Sequence, residues 1–245
     1  MIKRSAKLVK VTVAMPAYNS SKYIQEAIES ILAQSYDDFE LLIIDDCSKD
    51  NTWQLIQRYK SNPRIRLYKN INNLGVGSTR NKLVALAYGK YISPCDSDDI
   101  MLQGNLKRLA EFLDTHSKIG VVYSDFLVTG SHNKKMLMDL PFIFGKDCNK
   151  TWDILENAIN HAGSMIRKEL IKSVGGYDED GIVDDYSLWL KLSEVTKFKY
   201  LPGEIYYVYR QRENSLSSQK IIQLRNSRIK ISEAIKRRYR YDFKF

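Results

Sequence analysis

The sequence predicts an α/β domain built on a mostly parallel twisted sheet flanked by helices, and three observations carry that expectation. Short β-branched, apolar runs alternate with segments whose apolar residues recur at helical spacing. Polar and acidic clusters follow directly after those runs, where the carboxyl ends of parallel strands would lie. The 245 residues suffice for one substantial core, with 44% hydrophobic and 27% charged residues.

Val9 to Met15 reads as a central strand ending at Pro16-Ala17-Tyr18-Asn19. Tyr23, Ile24, Ala27, Ile28, Ile31 and Leu32 mark the first helix. Phe39 to Ile44 is a second strand, closing in Asp45-Asp46-Cys47-Ser48, and Leu55, Ile56 and Tyr59 mark the helix after it. Ile65 to Tyr68 gives a third strand, and Ser78 to Tyr88 a third helix stopped by Gly89. Lys90 to Cys95 is a buried strand that opens into Asp96-Ser97-Asp98-Asp99, with Asp99 an expected N-cap of the next helix. That helix carries Leu106, Leu109 and Leu113, and a strand follows at Val121 to Val128. Ser131 to Lys150 is polar and irregular. Ser164-Met165-Ile166 is a short strand, Asp184 to Thr196 a helix with Leu188, Trp189 and Leu192 turned to the core, and Ile205 to Tyr209 a last strand. Residues 1–218 are expected to form one domain and 219–245 a basic helical extension.

Composition narrows the function. No apolar stretch approaches the roughly 20 residues needed to span a bilayer, and no secretory signal is visible, so the expected compartment is the cytoplasm. Cys47, Cys95 and Cys148 form no C-x-x-C pair, which disfavours thiolate metal sites and disulfide frameworks. The net charge of +9 sits mainly in residues 220–245, where nine basic residues face two acidic ones. A basic tail on a near-neutral domain argues against a nucleic-acid surface.

Asn19, Asp46 and Asp96 each lie just past a strand end and should line one crevice. Tyr18 there can stack on a base or simply complete a turn. Asp46 can accept from a base or ribose. Gly75-Val76-Gly77-Ser78-Thr79-Arg80 partly matches a Gly-rich phosphate loop, and Arg80 beside a helix N-terminus suits a diphosphate. Asp96, Ser97 and Asp98 offer hard oxygen ligands for Mn²⁺ or Mg²⁺, or else a polar turn. Calcium is excluded, because the positions of the required Gly and closing Glu hold Met101 and Lys107. Asp184 and Asp185 open a helix, where they can complement its dipole or, for Asp185, act as a base toward a hydroxyl.

Together these residues resemble the family 2 glycosyltransferases, over roughly residues 9 to 218. The resemblance runs through Val13 to Asn19, Ile43 to Thr52, Asn73-Leu74-Gly75, Thr79-Arg80-Asn81 and Asp96 to Asp99. It continues in Gly175-Gly176-Tyr177-Asp178, Asp184 to Leu190 and Tyr209 to Ser215. It implies a GT-A-type fold and inverting transfer of a sugar from a nucleotide-diphosphate donor, with a UDP-sugar expected. By position, Ala17, Tyr18 and Asp46 would hold the base, Arg80 and Asp96 the base–ribose–phosphate region, and Pro16, Asn19 and Ser97 would also line the donor site. Asp98 would bind the metal and Asp185 would be the general base. Gly176, Asp184, Trp189, Arg210, Arg212 and Ser215 would lie at the acceptor or the diphosphate. Asp184 stands where the family usually has Glu, Arg212 where it often has His, and Cys47 where Gly is common. The Gln-x-x-Arg-Trp signature of processive synthases is missing, which implies addition of one or a few residues.

The resemblance also implies a saccharide or lipid-linked acceptor of a bacterial surface glycan. Ile221, Leu224, Ile231 and Ile235 share one helical stripe, so residues 220–245 could meet an anionic membrane surface at its inner face or pack on the domain. A sugar nucleotidyltransferase is the rival enzyme, although Pro16-Ala17-Tyr18-Asn19 is not its Gly-rich lysine loop. A non-catalytic nucleotide-sugar-binding protein is the third reading.

Overall fold

The computed structural model describes residues 9–129, the backbone of 135–136, and residues 159–179, 183–211, 227, 229–234 and 236–237. Arg212, Ser215, most of Ser131–Lys150 and much of the basic extension lie outside the described residues.

Four parallel strands form the first half of the sheet: β1 (Val11–Ala17), β2 (Phe39–Asp45), β3 (Ile65–Lys69) and β4 (Tyr91–Pro94), in the order β3-β2-β1-β4. Helices α1 (Ile24–Leu32), α2 (Thr52–Gln57) and α3 (Val76–Leu86) connect them. The chain runs outward from β1 to β3 and then crosses to the other side of β1, so a switch point falls between β1 and β4. Ligands of open α/β sheets bind at such a point, beyond the strand carboxyl ends.

The second half is mixed. A two-residue strand β5 (Ile100–Met101), helix α4 (Asn105–Thr115), β6 (Ile119–Thr129), β7 (Lys135–Met136), β8 (Met165–Arg167), α5 (Lys168–Ser173), α6 (Asp184–Leu192) and β9 (Lys197–Arg210) follow. The short β8 pairs antiparallel with both β4 and β6, while β9 runs parallel to β6 and antiparallel to β5. Both faces of the sheet are covered, which explains the continuous apolar runs of β1 and β2. Val11, Val13 and Met15 pack on the face holding α1 and α4. Ala14, Leu42 and Ile44 pack on the opposite face, with Leu83 of α3, Ile171 of α5 and Leu188 of α6.

Three elements differ from expectation. The last strand begins at Lys197 rather than Ile205, because its pairing with β6 runs through Tyr200 and Leu201 before a bulge. α5 escapes the pattern because only Ile171 of its six residues is buried. Asp99 caps no helix: it leads into β5, and α4 starts six residues on, after Gly104 in a left-handed conformation.

Candidate active site

The loops after β1 and β2 are fastened to each other by their own polar side chains. Asn19 sits at φ 49°, a region Asn tolerates, where its N–H donates to Ser48 Oγ and its Oδ1 accepts from Lys49 N–H. Cys47 takes the position expected of Gly and adopts the conformation Gly would, at φ 62°. Tyr18, next to Asn19, is 45% exposed, so its ring is presented to solvent.

Asp46 is almost wholly committed within the protein. Its Oδ1 accepts from Asn70 Nδ2 at 2.8 Å and Leu74 N–H at 2.9 Å, and its Oδ2 from Gly75 N–H at 2.9 Å. Those three donors fold residues 70–75 over the strand end. Gly77 lets the first turn of α3 lie against the carbonyl of Asp178, which a Cβ would strike. The Gly-rich stretch therefore serves close packing as well as the turn.

The Asp96 to Asp99 cluster resolves into four different environments. Asp96 accepts from Arg80 at 2.9 Å and keeps part of its carboxylate exposed. Ser97 Oγ shares a 2.6 Å hydrogen bond with Ser20 Oγ and so ties this loop to that after β1. Asp98 is 9% exposed, and its carbonyl accepts from Arg210 Nε. Asp99 is buried and accepts from Arg210 N–H at 2.7 Å. Burial, then the charges of Asp96 and Asp98, pushes its carboxyl well above the usual carboxylate range. Arg210 also reaches Glu26 at 2.8 Å and stacks on Tyr23.

Arg80 is the centre of the site. It is buried between Asp184 at 2.7 Å and Asp96 at 2.9 Å, and those carboxylates, with Asp185, outweigh desolvation and hold it charged. Both terminal nitrogens of this expected diphosphate ligand face carboxylates. Asp184 is buried opposite it, with Oδ2 accepting from Arg80. Asp185 follows in the first turn of α6, with Oδ1 accepting from Tyr186 N–H. Burial, then the neighbouring Asp184 charge, pushes its carboxyl up to about 6 against the pull of Arg80. A carboxylate poised there can accept a proton near neutral pH.

Trp189 does not reach the crevice. It is 2% exposed in the core, edge-on to Phe198 and beside His161. Gly176, at φ 76°, is where the chain presses on Asn81, leaving no room for a side chain. Asn81 in turn clasps Tyr177 through both its N–H and its carbonyl. The sequence reading also passed over His161, whose Nε2 meets Tyr177 OH at 2.9 Å, and Tyr207, whose hydroxyl accepts from Asp96 N–H. Nothing in their spacing singles them out.

A divalent cation can be tested against these groups. Among the described residues no three of His, Cys, Asp and Glu are grouped to hold a metal. Asp98 lies among carboxylates whose mutual repulsion is visible in Asp99. That donor set fits a hard cation shared with phosphate oxygens, the usual mode for Mg²⁺, and not an all-protein cage. Among the described residues no helix is long and apolar enough to cross a membrane.

Comparison with known proteins gives a consistent result. The model described as glycosyl transferase family 2 matches residues 12–175. An uncharacterized glycosyltransferase of Methanocaldococcus jannaschii, MJ1057, is 31% identical over 214 residues, covering 84% of this chain and 73% of its own. The poly(ribitol-phosphate) beta-N-acetylglucosaminyltransferase TarS of Staphylococcus aureus is 35% identical over 112 residues, 44% of this chain and 20% of its own. The crystal structure of TarS residues 1–349 with UDP-GlcNAc superposes with a TM-score of 0.76 at 24% identity, covering 93% of this chain and 67% of that one. A mannosyltransferase of Pyrobaculum calidifontis, solved with GDP-Man and Mn²⁺, gives a TM-score of 0.69 at 18% identity, covering 93% and 64%.

Proposed function

The chain belongs to glycosyl transferase family 2, has the GT-A fold and is a glycosyltransferase, and on that premise we propose a metal-dependent, inverting single displacement. The donor is a nucleotide-diphosphate sugar, with UDP as the nucleotide, and the acceptor a hydroxyl of a saccharide or lipid-linked saccharide. The observation that carries this reading is the Arg80 bridge. It ties Asp184, and so the adjacent Asp185, to Asp96 in the loop that also bears Asp98.

In this reading Tyr18 stacks on the base, and Asp46 sets the loop that closes over it. Asp98 would hold Mn²⁺ or Mg²⁺, whose charge would offset that developing on the leaving diphosphate. Asp185 takes the acceptor's proton as the hydroxyl oxygen attacks the anomeric carbon opposite the diphosphate. Its raised carboxyl suits that task, and Arg80 limits how far it rises. A surface glycan as product, and an anionic membrane as partner of residues 220–245, belong to the same proposal. Of that segment's cations, Lys230 and Arg237 are paired within the protein.

The test is turnover of a panel of nucleotide sugars with Mn²⁺ or Mg²⁺. We expect metal-dependent cleavage of a UDP-sugar that falls about a hundredfold or more in Asp98→Ala. Cleavage unaffected by chelator and by that substitution sinks the metal assignment.

A further inference from the structure

We propose that Lys230, in the C-terminal segment beyond the family match, is a positioning residue for the helix that bears Asp185. It rests on Asp185 being the base.

Three positions on one face of α6 fasten it to the rest of the protein. Asp184 meets Arg80, while Ser187 and Lys191 both meet Asp178, each at 2.5 Å. Spacings of three and four residues put these side chains on a single stripe. Asp178 is thus the second anchor of α6, and its carbonyl also supports the first turn of α3, which carries Arg80.

Asp178 is completed from far along the chain. Lys230 Nζ lies 2.7 Å from its Oδ2, with the lysine side chain 11% exposed. Burial alone would raise the Asp178 carboxyl, but Lys191 and then Lys230 hold it well below the usual carboxylate range. The helical residues around Lys230 dock on the same face of the domain. Ala234 is 1% exposed, Ile231 packs against the cluster containing Leu188, and Arg237 pairs with Glu194 just past the end of α6. The segment therefore docks beside α6, meeting its anchor Asp178 through Lys230 and Glu194 past its end through Arg237. A lysine buried against the anchor carboxylate fixes the stripe that sets Asp185.

Because Lys191 and Ser187 remain on Asp178 when Lys230 is replaced, the anchor is loosened and not stripped. In the full chain, Lys230→Met is expected to lower kcat about tenfold, with the donor KM within twofold. Amide exchange at 184–192 should speed at least fivefold while β1 and β2 keep their protection. Lys230→Arg is expected to restore both to within twofold. Arg237→Met, which removes a docking contact without touching Asp178, should leave kcat unchanged. Unchanged kcat and exchange in Lys230→Met overturns the proposal, as does an equal loss in Arg237→Met or a uniform rise in exchange. Asp185→Asn separates the two claims. If it turns over like the wild type, the base assignment fails, while exchange at 184–192 still reads the anchor. If it is inactive while Lys230→Met is normal, only the anchor fails.

Discussion

The crevice joins two regions that hold their charges differently. Beyond β1 and β2, polar side chains are met by hydrogen bonds within and between neighbouring loops, with Asp45 Oδ1 at the end of β2 left without a partner among the described residues. Asp46 has three donors, Asn19 has two partners in the β2 turn, and Ser97 is tied to Ser20. Around α6 the charges are balanced by ion pairs, of which Arg80 with Asp184 spans 104 positions, and buried atoms are left over. Among the described residues, Arg80 Nε, His161 Nδ1 and Trp189 Nε1 have no hydrogen-bond partner. The first region is a finished cradle. The second is buried and crowded with charge, and burial first, then the Asp184 charge, gives Asp185 its raised carboxyl.

Asp185→Asn tests this contrast with the largest expected effect. Transfer should fall about 10³-fold, the usual scale for loss of a general base. The fold should gain stability at the same time. With its carboxyl at about 6 when folded, against 3.8 ordinarily, Asp185 holds its proton more tightly in the folded protein. Its burial costs nothing below about pH 4. The cost grows as pH rises through about 6, and is full above that. Removing the charge should therefore add about 1–3 kcal/mol at pH 8 and little at pH 4, read by urea denaturation. In the wild type the same group gives the rate profile an acid limb near pH 6. A variant that loses activity and stability together would show that Asp185 is not the strained group.

Arg80→Gln cuts the link between the regions. It leaves Asp96 and Asp184 facing each other without their cation, an uncompensated buried charge that costs about 3–5 kcal/mol. Without the Arg80 charge the carboxyl of Asp185 should rise further, so any surviving activity should show its acid limb above pH 6. Loss of less than about 1 kcal/mol in urea would mean that water or a counter-ion already serves these carboxylates.

The same contrast decides what the sequence can disclose. The parallel half was legible because each strand is an apolar run buried on both faces, and the switch point follows from their order. Asn19, Asp46 and Asp96 could be placed at one edge from that alone. Their partners were another matter. Arg80 reads as a phosphate ligand beside a Gly-rich turn, yet its ion pair with Asp184 spans 104 positions, and no local pattern encodes it. Asp99 reads as a cap because its neighbours are polar, whereas a two-residue strand pairing with β9 decides its place. Trp189 sits correctly in the core on helical spacing, and only its place in the family's motif drew it toward the acceptor.

The smallest effect probes the finished region. Cys47 occupies φ 62°, where an L-residue other than Gly, Asn or Asp is strained by about 1–2 kcal/mol. Glycine removes that strain but adds about 0.5–1 kcal/mol of chain entropy, and it loses the weak thiol contact to the Ile71 carbonyl. Cys47→Gly should therefore be close to neutral, or more stable by up to about 1 kcal/mol. Cys47→Val, whose branched Cβ crowds the same backbone, should lose about 1 kcal/mol or more. Donor affinity should follow the same order, since this turn holds Asn19 and Asp46 in place. Equal stability in the two variants would mean that the turn relaxes to another conformation. The cradle beyond β2 would then be set by its side-chain hydrogen bonds alone, and not by the backbone that Cys47 shares with the family's glycine.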